Sequence, residues 1–169
     1  MFTRQTSSVT AAERIEVSRT IKASPSAIFA VLRDPAGHVA IDSSGMLQSF
    51  TGSPVSGVGD AFVIHMDREA LNDYPMAEYD VTVRFVTYEP DREIAWKIEG
   101  QLNIGHVYGY RLAPSADGSA TEVTSYYDWS TVGEEWKSIF PIISEGALRA
   151  TLGILARTVA SRGADTDGS

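Results

Sequence analysis

The chain has 169 residues, 43% hydrophobic and 21% charged, with a formal net charge of −8, a sequence pI near 4.8 and no cysteine. That length suits one domain, and the lack of cysteine excludes disulfides, thiolate metal ligands, iron–sulfur clusters and a cysteine nucleophile. The negative charge repels phosphate backbones and anionic membrane surfaces, and no run of Lys and Arg offsets it.

No stretch approaches the ~20 apolar residues of a membrane span, and residues 1–12 hold no apolar signal-peptide core. A soluble cytoplasmic protein is therefore expected, with no nucleic-acid partner and no stable membrane association. Residues 1–12 and 163–169 are small and polar and read as disordered tails around one domain over 13–162.

In Arg14–Ile21, Ile15, Val17 and Ile21 alternate with polar residues over most of a first strand. Ser24 then offers an N-cap and Pro25 a first helical position. The helix they open is short, because Asp34 precedes a proline and so disfavours the helical region. A second short helix follows over Pro35–Ile41. From there the pattern is period two, with strands over Met46–Thr51, Ala61–Met66, Ala77–Glu89, Glu93–Glu99, His106–Ala113 and Thr121–Trp129. Turn residues separate them at Gly57-Val58-Gly59-Asp60, at Glu89-Pro90-Asp91 and from Pro114 to Gly118. Asp67–Met76 is less regular and is expected to be a mobile loop.

The last element is helical. Trp136, Ile139, Phe140, Ile143, Ala147, Ala150 and Ile154 recur three and four apart, and Leu148, Leu152, Leu155 and Val159 widen the face. A helix from Pro141 to Ser161 would be about 30 Å long. Pro141 either starts it, leaving Glu134–Phe140 as a separate turn, or kinks it. The fold class is thus α+β: a seven-stranded curved antiparallel sheet wrapped around a long C-terminal helix, with two short helices after the first strand.

These features resemble the START/Bet v 1-like (SRPBCC) superfamily and its polyketide cyclase/dehydrase and lipid-transport-like branch, whose fold is the helix grip. The resemblance rests on Ala23-Ser24-Pro25 with Ile28-Phe29, Asp34-Pro35, Gly57-Val58-Gly59-Asp60-Ala61-Phe62, Tyr88 through Trp96, and Thr121-Glu122-Val123-Thr124, in that order along nearly the whole chain. It implies an internal pocket for an apolar small molecule and is not specific for one activity. Many relatives carry a tryptophan after the short helices, whereas here the region reads Ala40-Ile41-Asp42-Ser43-Ser44-Gly45.

Strand parity assigns the lining. Phe62, Met66, Tyr79, Val83, Trp96, His106, Tyr108, Tyr110 and Tyr127 face inward, Trp129 sits towards the rim, and Phe140 and Ile143 reach in from the helical segment. An aromatic lining with a few hydroxyls suits a ring-shaped apolar ligand. The bland alternative is that these rings fill a closed core and satisfy one another. Gly105 and Gly109 make room for ligand or mark a bulge.

His106 is the acid/base candidate, with Tyr108 as a hydroxyl beside it. His38 and Asp42, four apart around the second short helix, form a second candidate pair near the mouth, against which stands a helix-end hydrogen bond. The three histidines show no paired-ligand spacing, so no metal and no cofactor is expected. Three functions stay open: a carrier of a polyketide, aromatic or lipid; a cyclase/dehydrase-type enzyme using the same pocket; and an interaction module with a filled core. The expected partner is a hydrophobic small-molecule ligand, and a homodimer is left open.

Overall fold

The computed structural model describes residues 13–71 and 77–167. The expected tail over 1–12 and the part Asn72–Met76 of the expected mobile loop lie outside the described residues. In chain order the elements are β1 (Arg14–Ile21), α1 (Pro25–Leu32), α2 (Pro35–Ile41), β2 (Leu47–Thr51), β3 (Ala61–Asp67), β4 (Glu78–Glu89), β5 (Glu93–Glu99), β6 (Val107–Pro114), β7 (Thr121–Asp128) and α3 (Glu145–Asp167). A one-turn 3-10 segment sits at Glu69–Leu71 and a longer one at Glu134–Ile139. The strands form one antiparallel sheet in the order β1-β7-β6-β5-β4-β3-β2, which is the helix-grip architecture.

Local chemistry fixes the helix ends. Ser24 Oγ accepts the Ala27 N–H at 3.2 Å and opens α1, and Asp34 Oδ1 accepts the Ala36 N–H at 2.9 Å and opens α2. The two helices fold tightly together at Gly37, where a Cβ would stand 2.0 Å from the Val31 carbonyl oxygen. α3 begins at Glu145, four residues after Pro141, because Ser144 caps it: its Oγ accepts the Ala147 N–H at 3.1 Å. Glu134–Ile139 is accordingly a separate turn. At its far end α3 continues to Asp167, past Gly163 where a tail was expected. A glycine inside a helix costs only about 1 kcal/mol, and Arg162 Nη2 holds this end to Asp34 Oδ2 at 3.4 Å.

Leu148, Leu152, Leu155 and Val159 form the buried stripe of α3, while Ala150 is exposed and Ile154 half-buried. α3 packs on β1, β7, α1 and α2. No helix of the described residues is long and apolar enough to cross a membrane.

His38, expected near a mouth, is instead core. It is 6% exposed and packs against Phe62 and Trp96 with ring centroids 5.0 and 4.5 Å away. Its Nε2–H donates to the Leu32 carbonyl at 2.7 Å. Burial lowers its pKa from 6.5 to about 4, against the opposing pull of the Leu32 carbonyl.

Gly109 serves the outer face rather than the ligand side. The Tyr126 ring lies over it, so a Cβ there would stand 2.2 Å from Tyr126 Cζ. The ring is pinned in turn, since its hydroxyl donates to Glu93 Oε2 at 2.6 Å and the Arg14 guanidinium sits 4.0 Å above it.

Two outcomes follow. Gly109→Ala should cost about 1–3 kcal/mol by overpacking, read by urea unfolding, and a second substitution Tyr126→Ala should cancel the clash so that the two effects are not additive. The folded His38 binds its proton less readily than the unfolded one, so stability should fall as pH drops from 6.5 towards about 4. That loss is roughly 3 kcal/mol for this group, and His38→Gln should remove it from the pH dependence of urea unfolding. A variant as acid-sensitive as the wild type would refute the assignment.

Candidate functional site

The inner face of the sheet is paved with rings because alternate residues of β4, β5, β6 and β7 place their side chains there. Trp96 stacks on Tyr108 and Tyr110 with centroids 6.2 and 5.9 Å apart. Tyr108 contacts Tyr127 at 4.8 Å, and Tyr127 leads through Trp129 to Phe140 at 5.7 and 6.1 Å. Trp129, expected at the rim, is 5% exposed, because the Phe140 ring covers it at an interplanar angle of 17°. Ile143 and Phe140 are half-buried against the core from the segment before α3.

Polar tips on this face find partners. Tyr110 is hydrogen-bonded to Ser125, its register partner across β6 and β7. His106 lies one residue before β6, beyond the left-handed Gly105 at φ 96°, and its Nδ1 is 2.5 Å from the Tyr127 hydroxyl. Tyr127 is also hydrogen-bonded to Tyr108, so His106, Tyr127 and Tyr108 form one chain. Among the described residues no buried side-chain nitrogen or oxygen lacks a partner.

Burial sets the protonation of this chain. It pushes the Tyr108 and Tyr110 phenols up to about 12 and the Tyr127 phenol higher still, and it pushes His106 down. All are uncharged at neutral pH. With His106 protonated at Nε2, its Nδ1 accepts from Tyr127, and Tyr127 accepts from Tyr108. The opposite tautomer reverses every bond. The arrangement can therefore take up or hand over a proton at the Tyr108 oxygen.

Burial along this face is graded. At one end Phe62, Val83, Phe85, Ile94, Tyr110 and Leu112 are closed off, none more than 6% exposed. At the other end Met66, Tyr79, Val81, Ile98 and Tyr108 are only half-buried. The register places these five together, since Met66 pairs with Tyr79, Ile64 with Val81, Val83 with Ile98 and Trp96 with Tyr108. Val81 and Ile98 were legible as inward by parity but were not singled out as lining. Leu47 and Ile104 join the half-buried set, and neither lies in a strand pattern clear enough to assign its side.

The proposed pair of His38 and Asp42 does not assemble. His38 is held by Leu32, while the Asp42 carboxylate accepts the N–H groups of Ser44, Gly45 and Leu47 at 2.9, 2.8 and 3.2 Å. Asp42 is a loop organiser, in keeping with the helix-end alternative. Two surface clefts lie away from the rings: about 680 Å³ lined by Arg19, Gly153 and Arg157 among others, and about 570 Å³ between Pro25 and Arg92. No group of three or more potential metal ligands occurs among the described residues.

Comparison with known proteins agrees with this fold. The chain has the fold of protein CV1439 from Chromobacterium violaceum, with a TM-score of 0.63 at 15% identity over 86% of this chain and 96% of that one. The AHSA1-like protein from Aeromonas hydrophila matches at 0.59 and 19% identity, over 88% and 94% of the two chains. Norcoclaurine synthase from Thalictrum flavum, solved with dopamine and hydroxybenzaldehyde, matches at 0.57 and 18%, over 88% and 86%. No curated protein sequence matches the chain. Residues 12–160 match the family described as polyketide cyclase / dehydrase and lipid transport, and the chain belongs to that family.

Proposed function

We propose that the chain binds a ring-bearing apolar small molecule, of the polyketide, aromatic or lipid class, between the half-open inner face and α3. The observation that carries this reading is the grading of burial. Met66, Tyr79, Val81, Ile98 and Tyr108 point to the inside by parity yet remain accessible, so solvent reaches an apolar surface there. A closed core would have sealed them. The Tyr108 ring, half-buried at this end, would lie against the ligand. A fold neighbour solved with small aromatic molecules supports the same ligand class.

A second reading, a cyclase/dehydrase-type enzyme in the same pocket, is favoured by the chain His106–Tyr127–Tyr108. Its neutral imidazole would act as the base and a phenol would carry the proton to or from the ligand.

Native mass spectrometry of freshly purified protein should show a co-purified apolar molecule. Titration with the neutral dye N-phenyl-1-naphthylamine should raise dye fluorescence and the melting temperature together. Trp96→Ala should weaken dye binding and also cost about 3–5 kcal/mol of stability, as one ring serves both. Tyr127→Phe should cost about 1–3 kcal/mol, because it removes a partner from His106 and Tyr108, and should leave dye affinity within about threefold. Wild-type protein that gains no melting temperature with the dye and carries no ligand would have a filled core.

A further inference from the structure

The outer face of the sheet carries a hydrogen-bonded series that the ligand site does not use. Thr51, the last residue of β2, places Oγ1 2.8 Å from His65 Nε2 on β3, and His65 Nδ1 is 2.7 Å from Asp80 Oδ1 on β4. The register explains the alignment: His65 faces Asp80 directly, and Thr51 pairs with Val63, two residues along the same face. A carboxylate only accepts, so the imidazole proton sits on Nδ1 and the Nε2 lone pair of the neutral ring is turned to the Thr51 hydroxyl. This is the order of nucleophile, base and orienting acid that activates a hydroxyl in acyl transfer.

Access supports the same reading. Thr51 is exposed, and the His65 and Asp80 side chains are 37% and 64% exposed. Gly52, directly after Thr51, has φ 131°, so the chain leaves β2 through a conformation that favours glycine.

We propose that Thr51, His65 and Asp80 form a nucleophilic site that accepts an acyl group from small activated esters. The Thr51 oxygen bonds to the acyl carbon as its proton passes to His65 Nε2. The ester bond to the leaving oxygen then breaks, and His65 returns the proton to that oxygen, leaving acyl-Thr51 and a free alcohol or phenol. Water, deprotonated by the same nitrogen, releases the acid and restores the hydroxyl. The shallow, solvated setting restricts the site to esters with good leaving groups, which need little oxyanion stabilisation.

The test uses the full chain with p-nitrophenyl acetate, following nitrophenolate release and locating the acetyl group by peptide mass spectrometry. The expected result is acetyl on Thr51, with retention in Thr51→Ser. Its formation should slow by roughly 100-fold or more in His65→Gln, the scale of a lost general base, and should also slow in Asp80→Asn. The inner face is untouched by these exposed substitutions, and unchanged circular dichroism and dye binding would confirm an intact fold. Acetyl found only on lysine or histidine, or Thr51 acetylation as fast in His65→Gln as in the wild type, would overturn the proposal and leave the series as a tie across β2, β3 and β4.

Discussion

One helix cannot cover seven strands. A helix is about 10 Å across, whereas seven strands at ~4.8 Å spacing span roughly 30 Å. α3 settles against β1 and β7, with α1 and α2 beside it, and the inner face of β3 to β6 must be covered by side chains. Large rings fill that volume with few residues, and Phe62, Phe85, Trp96, Tyr108, Tyr110 and Tyr127 are tilted against or stacked on one another across it. Where the rings stop meeting helix or loop, the face stays half-open. This half-open patch is the unclosed remainder of the packing problem.

Filling with tyrosine and histidine brings polar tips into a place where each needs a partner. The pairing of Tyr110 with Ser125, of His38 with the Leu32 carbonyl, and of His106 with Tyr127 and Tyr108 meets that need. The same burial moves every pKa towards the neutral form, with phenols up and imidazoles down. An interior lined by uncharged groups can receive an apolar molecule without stripping water from an ion. Protonating either buried histidine would charge it, which makes acid the condition that disturbs both the fold and its open end.

Parity made much of this legible. Alternation in β3 to β7 placed Phe62, Met66, Tyr79, Trp96, Tyr108 and Tyr127 on one face, and the register agrees. Three things were hidden for identifiable reasons. α3 has apolar residues on two stripes, so the 3.6 period alone could not tell Leu148, Leu152 and Leu155 from Ala150 and Ile154. Pro141 looked like a helix start, yet Ser144 offered the hydroxyl that an N-terminus needs. His38 and Asp42 are four apart, but Gly37 brings α2 so close to α1 that His38 is driven into the core. Spacing gives a face, and only packing says what that face meets.

Arg19 makes the distinction between side and burial concrete. On β1 it shares the inward parity of Val17 and Ile21, which are buried, yet Arg19 is exposed. β1 is an edge strand, and opposite Arg19 the helix presents Gly153, whose missing side chain leaves the guanidinium in an open cleft. Parity thus names the side of the sheet, and the covering element decides the burial. The same rule separates the two chemistries along β3 and β4. Ile64 and Met66 turn in while His65 turns out, and Tyr79 and Val81 turn in while Asp80 turns out. Adjacent residues therefore serve unrelated surfaces on opposite faces of one sheet. A ligand bound at Tyr79 and Tyr108, as proposed, would leave Thr51, His65 and Asp80 in water, so the two proposed sites could be altered independently.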